Sequence, residues 1–319
     1  MRRIAAALCV AASPALAFDL AFPVDCTLGE SCYIQNYVDR DPGPGWSDFG
    51  CGHLSYDGHK GTDVALRSLA AMAAGVDVLA VAPGTVRATR DGMMDISANA
   101  ANAPDVSERA CGNAVVVAHE GGWQSQYCHL RRGSVAVRSG DAVEPGTVLG
   151  QVGLSGRTEF PHLHLTMRRD GETIDPFQPN GETACGDSAH ALWADGTDYE
   201  TAGFISAGFF DAVPAYGAVQ AGSAEMRELP ADAQALVAWG FYFGPREGDV
   251  LAVAITGPGG MFLEQELTID RTQARAFRAV GRKLNASTRQ PGTYNATLRL
   301  LRDGQLLDTI SARTQVMAR

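Results

Sequence analysis

The fold is decided by residues 162–167, His162-Leu163-His164-Leu165-Thr166-Met167 (HLHLTM). Side chains alternate across an extended strand, so His162, His164 and Thr166 share one face and Leu163, Leu165 and Met167 take the other. One face is imidazole and the opposite face is core. Two imidazoles set two residues apart can point into a common cleft while the apolar face anchors their strand.

The surrounding text from Gly58 to about Phe177 has the same character. Short β-branched runs alternate with glycine turns: DVLAVAPGTVRAT, NAVVVAHEGGWQSQYCHL and GDAVEPGTVLGQVG. This predicts an antiparallel, turn-rich β domain, and HEGGW between two alternating runs predicts a hairpin. A turn at Glu120-Gly121 would set Asn113 opposite Cys128. One insertion, roughly Asp91 to Cys111, breaks the rhythm and reads as a loop with a helical turn. Residues 18–57 are rich in Cys, Gly and Pro and read as a cross-linked lead-in rather than a regular element. Residues 178–202 read as a linker. Residues 203–319 predict a second β domain with strands in ALVAWGFYF, DVLAVAIT and MFLEQELTI, and a strong hairpin centred on Asp303-Gly304. That spacing fits an immunoglobulin-like sandwich. The run DRTQARAFRAVGRKL could be helical, and periodicity alone does not decide it. The fold class is therefore mainly β: an antiparallel β domain followed by a C-terminal immunoglobulin-like β-sandwich.

The chemistry-bearing residues cluster in the first of these domains. GHKGTDVAL places His59 and Asp63 four residues apart around Gly61, with a tight turn expected to enter a strand at Asp63. His129 ends QYCHL. Zn²⁺ takes four ligands in a tetrahedron, and catalytic sites leave one position to water. His59, Asp63 and one of His162 or His164 would supply three ligands, leaving the other histidine and His129 to handle protons. Amide hydrolysis needs a proton taken from water and an oxyanion stabilised, and a zinc with two histidines can do both. No His-Glu-x-x-His occurs, which excludes the helix-borne metalloprotease layout. His53, His119 and His190 are expected to carry no chemistry, although His53 lies near the cassette and could serve as a blocking ligand.

Composition frames this reading. The chain has 319 residues, room for about two domains. Residues 1–17 (MRRIAAALCVAASPALA) predict a secretory signal cleaved between Ala17 and Phe18. No other run is long and apolar enough to span a bilayer, so the expectation is an exported protein, periplasmic or extracellular, without stable membrane insertion. Six cysteines remain after Cys9 is lost with the signal, namely Cys26, Cys32, Cys51, Cys111, Cys128 and Cys185. An even count in an oxidising compartment predicts disulfides. Cys111 and Cys128 are the expected pair, provided a bulge or a folded-back Cys111 brings them together. The formal charge is −10, and residues 18–195 carry 23 acidic side chains against 12 basic ones. An acidic domain of this kind argues against nucleic acid as a partner. It also offers no long-range attraction to anionic polymers, so such a substrate would have to be held by local contacts.

With those motifs in their order (GHKGTD, GVDVLAVAPGTV, the AVVVAHE-GGW-QYCHL hairpin, GDAVEPGTVLGQVG and PHLHL), the chain resembles the lysostaphin/LytM-type zinc metallopeptidases, which cut peptide bridges in bacterial peptidoglycan. The resemblance covers roughly residues 50–177 and implies the family's duplicated-hybrid-motif-like β fold. By motif it implies Zn²⁺ on His59, Asp63 and His164. It also implies that His129 and His162 are catalytic, orienting water or stabilising the tetrahedral intermediate, with the base left open between them. Three positions depart from the family pattern. Phe160 stands where a small residue is usual, Thr166 lies near the place of a usual glutamate, and GLSGRTEF replaces a Ser/Thr/Gly-rich loop. All three are expected to line the groove and to alter substrate choice.

The resemblance thus implies a zinc endopeptidase acting on peptidoglycan stem or cross-bridge peptides. The second domain, with no histidine and no cysteine, would pack, position or contact a protein partner. Two other readings stand beside it. One is an exported regulator that activates other wall hydrolases without cutting anything itself, and the other is a peptidase acting on secreted glycine-rich proteins.

Overall fold

The structure is a computed structural model and describes residues 18–182, 184–285 and 288–318. The proposed signal segment lies outside these residues. The chain is mainly antiparallel β. The first unit contains β1 (Cys32–Asn36), β2 (Thr62–Leu66), β3 (Asp77–Leu79), β4 (Gly84–Arg90), β5 (Asn113–Ala118), β6 (Trp123–Leu130), β7 (Ala142–Val143), β8 (Val148–Gln151), β9 (His162–Arg169) and β10 (Glu172–Ile174), with a short helix α1 (Leu69–Ala74) after β2. Its main sheet runs β1-β2-β9-β6-β5-β4-β7, with β10 folded back on β9, and β3 pairs β8 separately.

The HLHLTM strand sits in the middle of this sheet, and its alternation is realised as read. Leu163, Leu165 and Met167 are buried with Val64, Val115, Val117 and Tyr127 in one core. Burying each such side chain is worth about 1.5–3 kcal/mol, so the strand cannot slip by one residue without turning its imidazoles into oil. The hairpin β5–β6 forms, with a register one residue longer than the turn predicted. Val115 faces Tyr127, and a bulge then sets Asn113 opposite Leu130. The 91–111 insertion carries a single helical turn at Ser107–Arg109.

The lead-in is more regular than expected. Residues Cys32–Asn36 form β1 on the sheet edge, antiparallel to β2. The backbone gains there a strand partner that its surroundings, dense in turn residues, had hidden. Three disulfides are present: Cys26–Cys32, Cys51–Cys185 and Cys111–Cys128. Residues 178–202 pack against the lead-in, with Trp193 buried and Tyr199 donating its hydroxyl to Asp48 at 2.9 Å.

The second unit holds β11 (Gly203–Phe210), α2 (Tyr216–Ala221), β12 (Glu228–Leu229), β13 (Ala235–Phe243), β14 (Val250–Gly257), β15 (Gly260–Thr268), β16 (Arg275–Lys283), β17 (Gly292–Arg302) and β18 (Gln305–Val316). Two sheets, β11-β13-β16 and β12-β18-β17-β14-β15, enclose a core of Leu251, Val253, Ile255, Tyr294, Leu298 and neighbours. This is a β-sandwich, compatible with the immunoglobulin-like arrangement expected. Asp303 and Gly304 turn the β17–β18 hairpin with positive φ, 52° and 77°, as a two-residue primed turn requires. The run suspected of being helical is strand β16.

Strand β13 explains its own sequence. ALVAWGFYF is apolar almost throughout because both of its faces are covered. Leu236, Ala238 and Tyr242 enter the sandwich core, while Trp239, Phe241 and Phe243 enter the core of the first unit. The two units therefore share a hydrophobic seam, with Phe243 stacked on Tyr33 at 4.8 Å between ring centroids.

Candidate metal centre and active site

Sheet register brings the predicted residues together. On β2 and β9, Asp63 lies opposite His164 and Ala65 opposite His162. From the other side, Cys128 on β6 lies opposite His164. Asp63, His164 and the end of β6 thus form one row across three strands. His59 enters from the turn before β2. Gly61 is needed there for closeness rather than for a special backbone angle. A Cβ on it would meet the His164 ring at 2.6 Å and the Leu165 carbonyl oxygen at 2.8 Å.

His129 reaches the row through the β5–β6 bulge. Its φ is +63°, a left-handed conformation costly for a non-glycine residue. The bulge is held from several sides. The His129 N–H donates to the Cys111 carbonyl at 2.8 Å, the Cys111–Cys128 disulfide closes beside it, and the ring donates to the Ser155 carbonyl at 2.8 Å. Ser155 in turn donates to the Leu130 carbonyl and accepts from the Asn113 N–H.

The hydrogen bonds fix the imidazole tautomers. A backbone carbonyl can only accept, so the ring nitrogen facing it carries the proton. Nδ1 of His59 faces the Tyr37 carbonyl at 2.6 Å, Nδ1 of His129 faces Ser155, and Nδ1 of His162 faces the Phe160 carbonyl at 2.9 Å. In its neutral form each of these three rings therefore carries its lone pair on Nε2. His59 Nε2 lies 3.1 Å from His164 Nδ1 and 3.2 Å from Asp63 Oδ1. His164 Nδ1 lies 2.8 Å from that same oxygen, and His162 Nε2 lies 3.6 Å from it. Asn36 Nδ2 donates to the other carboxylate oxygen, Asp63 Oδ2, at 3.0 Å, which leaves Asp63 Oδ1 facing the histidines.

This donor set fits a divalent cation. The facing atoms of His59, Asp63 and His164 lie 3.2, 3.1 and 2.8 Å from one another, close to the ~3.3 Å edge of a tetrahedron whose ligands stand about 2.0–2.1 Å from zinc. Lone pairs converging this closely repel unless a proton or a metal ion lies between them. His59 and Asp63 are buried, and the His164 side chain is 17% exposed, so the third member of the donor set borders the opening. Burial pushes the Asp63 carboxyl up, but the surrounding His59, His162 and His164 imidazoles outweigh it and hold the group well below the usual carboxylate range. Burial, reinforced by the nearby His162 and His164, holds His129 well below the ordinary imidazole value. Burial also lowers His162. Both are neutral imidazoles near pH 7, with Nε2 free.

The site opens into a groove of about 300 Å³ lined by Tyr56, Gly58, His59, Ala110, His129, His164 and Thr166 among others. The 91–111 insertion and the 153–161 loop meet beside it: a Cβ on Gly112 would strike the Ser155 carbonyl, and one on Gly156 the Ala110 carbonyl. Phe160 does not line this groove. It is 2% exposed and faces the second unit, with Phe241 edge-on at 6.1 Å and the Arg275 guanidinium 4.4 Å over its ring. The larger residue before Pro161 is explained by this seam, not by substrate. Among the remaining histidines, His53 accepts from Arg246 Nε at 3.0 Å, away from the cluster. His119 is tied to the Pro83 carbonyl and the Ser125 hydroxyl. His190 is exposed.

Sequence reasoning missed the supporting residues. Asn36, Tyr37, Thr158 and Ser155 act through backbone or side-chain hydrogen bonds that no short motif announces. The legible trace was glycine placement, at Gly112 beside Asn113 and at Gly156 beside Ser155.

Residues 57–176 match the sequence model of Peptidase family M23. The DD-carboxypeptidase/endopeptidase Mpg of Neisseria meningitidis serogroup B is 33% identical over 102 residues, which is 32% of this chain and 21% of that protein. Cell division protein DipM of Caulobacter vibrioides is 38% identical over 68 residues, 21% of this chain and 11% of that protein. The chain thus spans about a fifth or less of the length of these two relatives. Among solved structures, the catalytic domain of lysostaphin from Staphylococcus simulans overlaps at a TM-score of 0.29 and 20% identity, covering 44% of this chain and 85% of that one. A zinc-containing peptidase from Vibrio cholerae overlaps at 0.29 and 23%, covering 44% and 38%. The segment 57–176 belongs to peptidase family M23, of the lysostaphin/LytM type.

Proposed function

We propose that this protein is an exported zinc endopeptidase that hydrolyses peptide bonds in peptidoglycan stem or cross-bridge peptides. In this reading residues 58–177 are the catalytic domain and 203–319 a packing domain. His59, Asp63 and His164 hold the metal, and His129 and His162 are catalytic. The observation that carries it is the convergence of the three-residue donor set with His129 and His162, both anchored through Nδ1 on backbone carbonyls, beside one groove.

A bound Zn²⁺ would supply a Lewis acid and lower the pKa of a coordinated water. The chain's residues divide the remaining work. Asn36 and Tyr37 fix the orientations of Asp63 and His59, as supporting hydrogen bonds do at metal sites. His129 and His162, both neutral and both anchored through Nδ1, can take a proton at Nε2 from the attacking water and return it to the leaving amine. Whichever imidazole is protonated at that moment can also donate to the developing oxyanion. Their ring centroids lie 4.7 Å apart, close enough for either to serve the same reacting carbon. The three disulfides support an oxidising compartment outside the cytoplasm.

Purified protein should carry about one zinc and release soluble fragments from sacculi, and His164→Ala should lose both properties. An active His164→Ala enzyme would overturn the ligand assignment. The relatives include a cell division protein and a lipoprotein homologue of Pseudomonas aeruginosa, which keeps a non-catalytic activator as the second reading. Metal-free protein that still stimulates a partner wall hydrolase would favour that reading.

A further inference from the structure

The groove reverses the charge of its own domain. Residues 18–195 carry 23 acidic and 12 basic side chains, yet the charged residues lining the groove, apart from its histidines, are Lys60, Arg157, Arg168 and a single acid, Asp57. Among the described residues, no ion pair engages Lys60, Arg157 or Arg168. Unpaired cations beside a cleft focus a positive potential there, here against the negative balance of residues 18–195.

Arg168 is the most constrained of the three. It belongs to the face of β9 that carries His162, His164 and Thr166, since side chains two apart share a face. Gln126, opposite Thr166 on β6, accepts from its Nη1 at 2.8 Å. That bond uses a neutral partner and leaves the rest of the guanidinium fork free. Lys60 enters from the metal-binding turn and Arg157 from the loop on the far wall, so the three cations come from separate elements around one opening. Arg168 lies four residues along the strand from His164, about 13 Å at 3.3 Å per residue. An extended peptide covers that distance in about four residues.

We propose that this groove selects an acidic peptide, one bearing a carboxylate within about four residues of the bond cleaved beside His164, and that Arg168, with Arg157 and Lys60, is the specificity-determining group. The inference rests on the peptidase reading above and deepens it. It assigns the substrate to carboxylate-bearing stem peptides and away from neutral glycine bridges. Arg168 offers a carboxylate a bidentate, charge-assisted contact, while Thr166 and Gln126 leave the floor between it and His164 uncharged.

The test uses the full chain loaded with zinc and two synthetic tetrapeptides identical except for a side-chain carboxylate or its primary amide. The acidic peptide should be cleaved with about 10-fold or greater advantage in kcat/KM, carried by KM, and the advantage should shrink between about 0.05 and 0.5 M salt. Arg168→Gln should raise KM for the acidic peptide toward that of the amide, leaving kcat and the amide's KM nearly unchanged. Arg168→Lys should restore part of the preference. Equal cleavage of both peptides, or an Arg168→Gln effect that is the same on both, would overturn the proposal. Should neither peptide be cut, equilibrium binding of the same pair decides it. Preferential binding of the acid that Arg168→Gln abolishes supports the groove while the peptidase reading fails, and equal binding overturns the groove as well.

Discussion

The first and second units differ in what they do with polar groups. All seven histidines and all six cysteines outside residues 1–17 lie before residue 191. The first unit concentrates buried polar side chains: His59, Asp63, Asn113, His129, His162 and Asp175 are all largely shielded from water. The second unit buries Asp249 and pairs it at once, with Arg302 reaching both carboxylate oxygens at 2.9 and 2.8 Å. A carboxylate held among imidazoles, as Asp63 is by His59, His162 and His164, is available for chemistry, whereas one fully paired with a guanidinium is a clasp. The second unit nevertheless touches the chemistry of the first. Phe160 presents its carbonyl to His162 and its ring to Phe241 and Arg275.

The comparison can be broken most forcefully at the clasp. Asp249→Ala leaves the Arg302 cation buried without its partner and should destabilise the protein by about 3–5 kcal/mol, read as a fall in denaturation midpoint. Phe241→Ala opens a cavity at the seam and should cost about 3–4 kcal/mol. If the seam supports the site, this variant also loses activity well below its melting temperature. Unchanged activity would make the second unit a passenger.

Asp175 sharpens the comparison from the other side. It is buried, with one carboxylate oxygen accepting from the Phe177 N–H and the other without a partner. Burial pushes its carboxyl from an ordinary 3.8 up to about 6. The folded state therefore keeps a proton that the unfolded chain releases. The stability this supplies is complete below about pH 4 and is lost as pH rises through about 6, an effect on the order of 2–3 kcal/mol. Asp175→Asn should remove this dependence, raising the melting temperature at pH 7.5 and changing it little at pH 4. A uniform shift at both values would refute the linkage. The smallest effect belongs to Arg275→Ala. Loss of a cation over the Phe160 ring is worth about 1–2 kcal/mol and should lower kcat several-fold with KM and zinc content preserved, Arg275→Lys recovering part of it.

Much of this was legible before any coordinates. Alternation in HLHLTM fixed which side chains face the groove, because a central strand between β2 and β6 has no freedom to rotate. The double hairpin signals at His119–Trp123 and Asp303-Gly304 located turns that form. What stayed hidden depends on partners distant in sequence. Cys51 pairs with Cys185 across a separation of 134, which no spacing rule reaches. Residues 275–283 mix helix-forming and strand-forming side chains, and pairing with β13 decided for strand. Phe160 reads as a groove residue when only its neighbours in sequence are weighed, and as a seam residue once β13 lies against it. The one-residue offset in the β5–β6 register is already set beside the turn, where Glu120–Gly122 leave Ala118 opposite Gln124, and the bulge at His129, held by Cys111 and Ser155 outside the hairpin's two strands, adds a second residue.

Strand β13, buried along nearly its whole length, sets how the chain could come apart. A protease cutting near residues 195–200 would sever only the covalent tether. Parting the two fragments would expose a row of aromatic rings, Trp239, Phe241 and Phe243 on one and Tyr33 and Phe160 on the other. The nicked protein should therefore travel as one particle through a sizing column and separate into two bands only in denaturant.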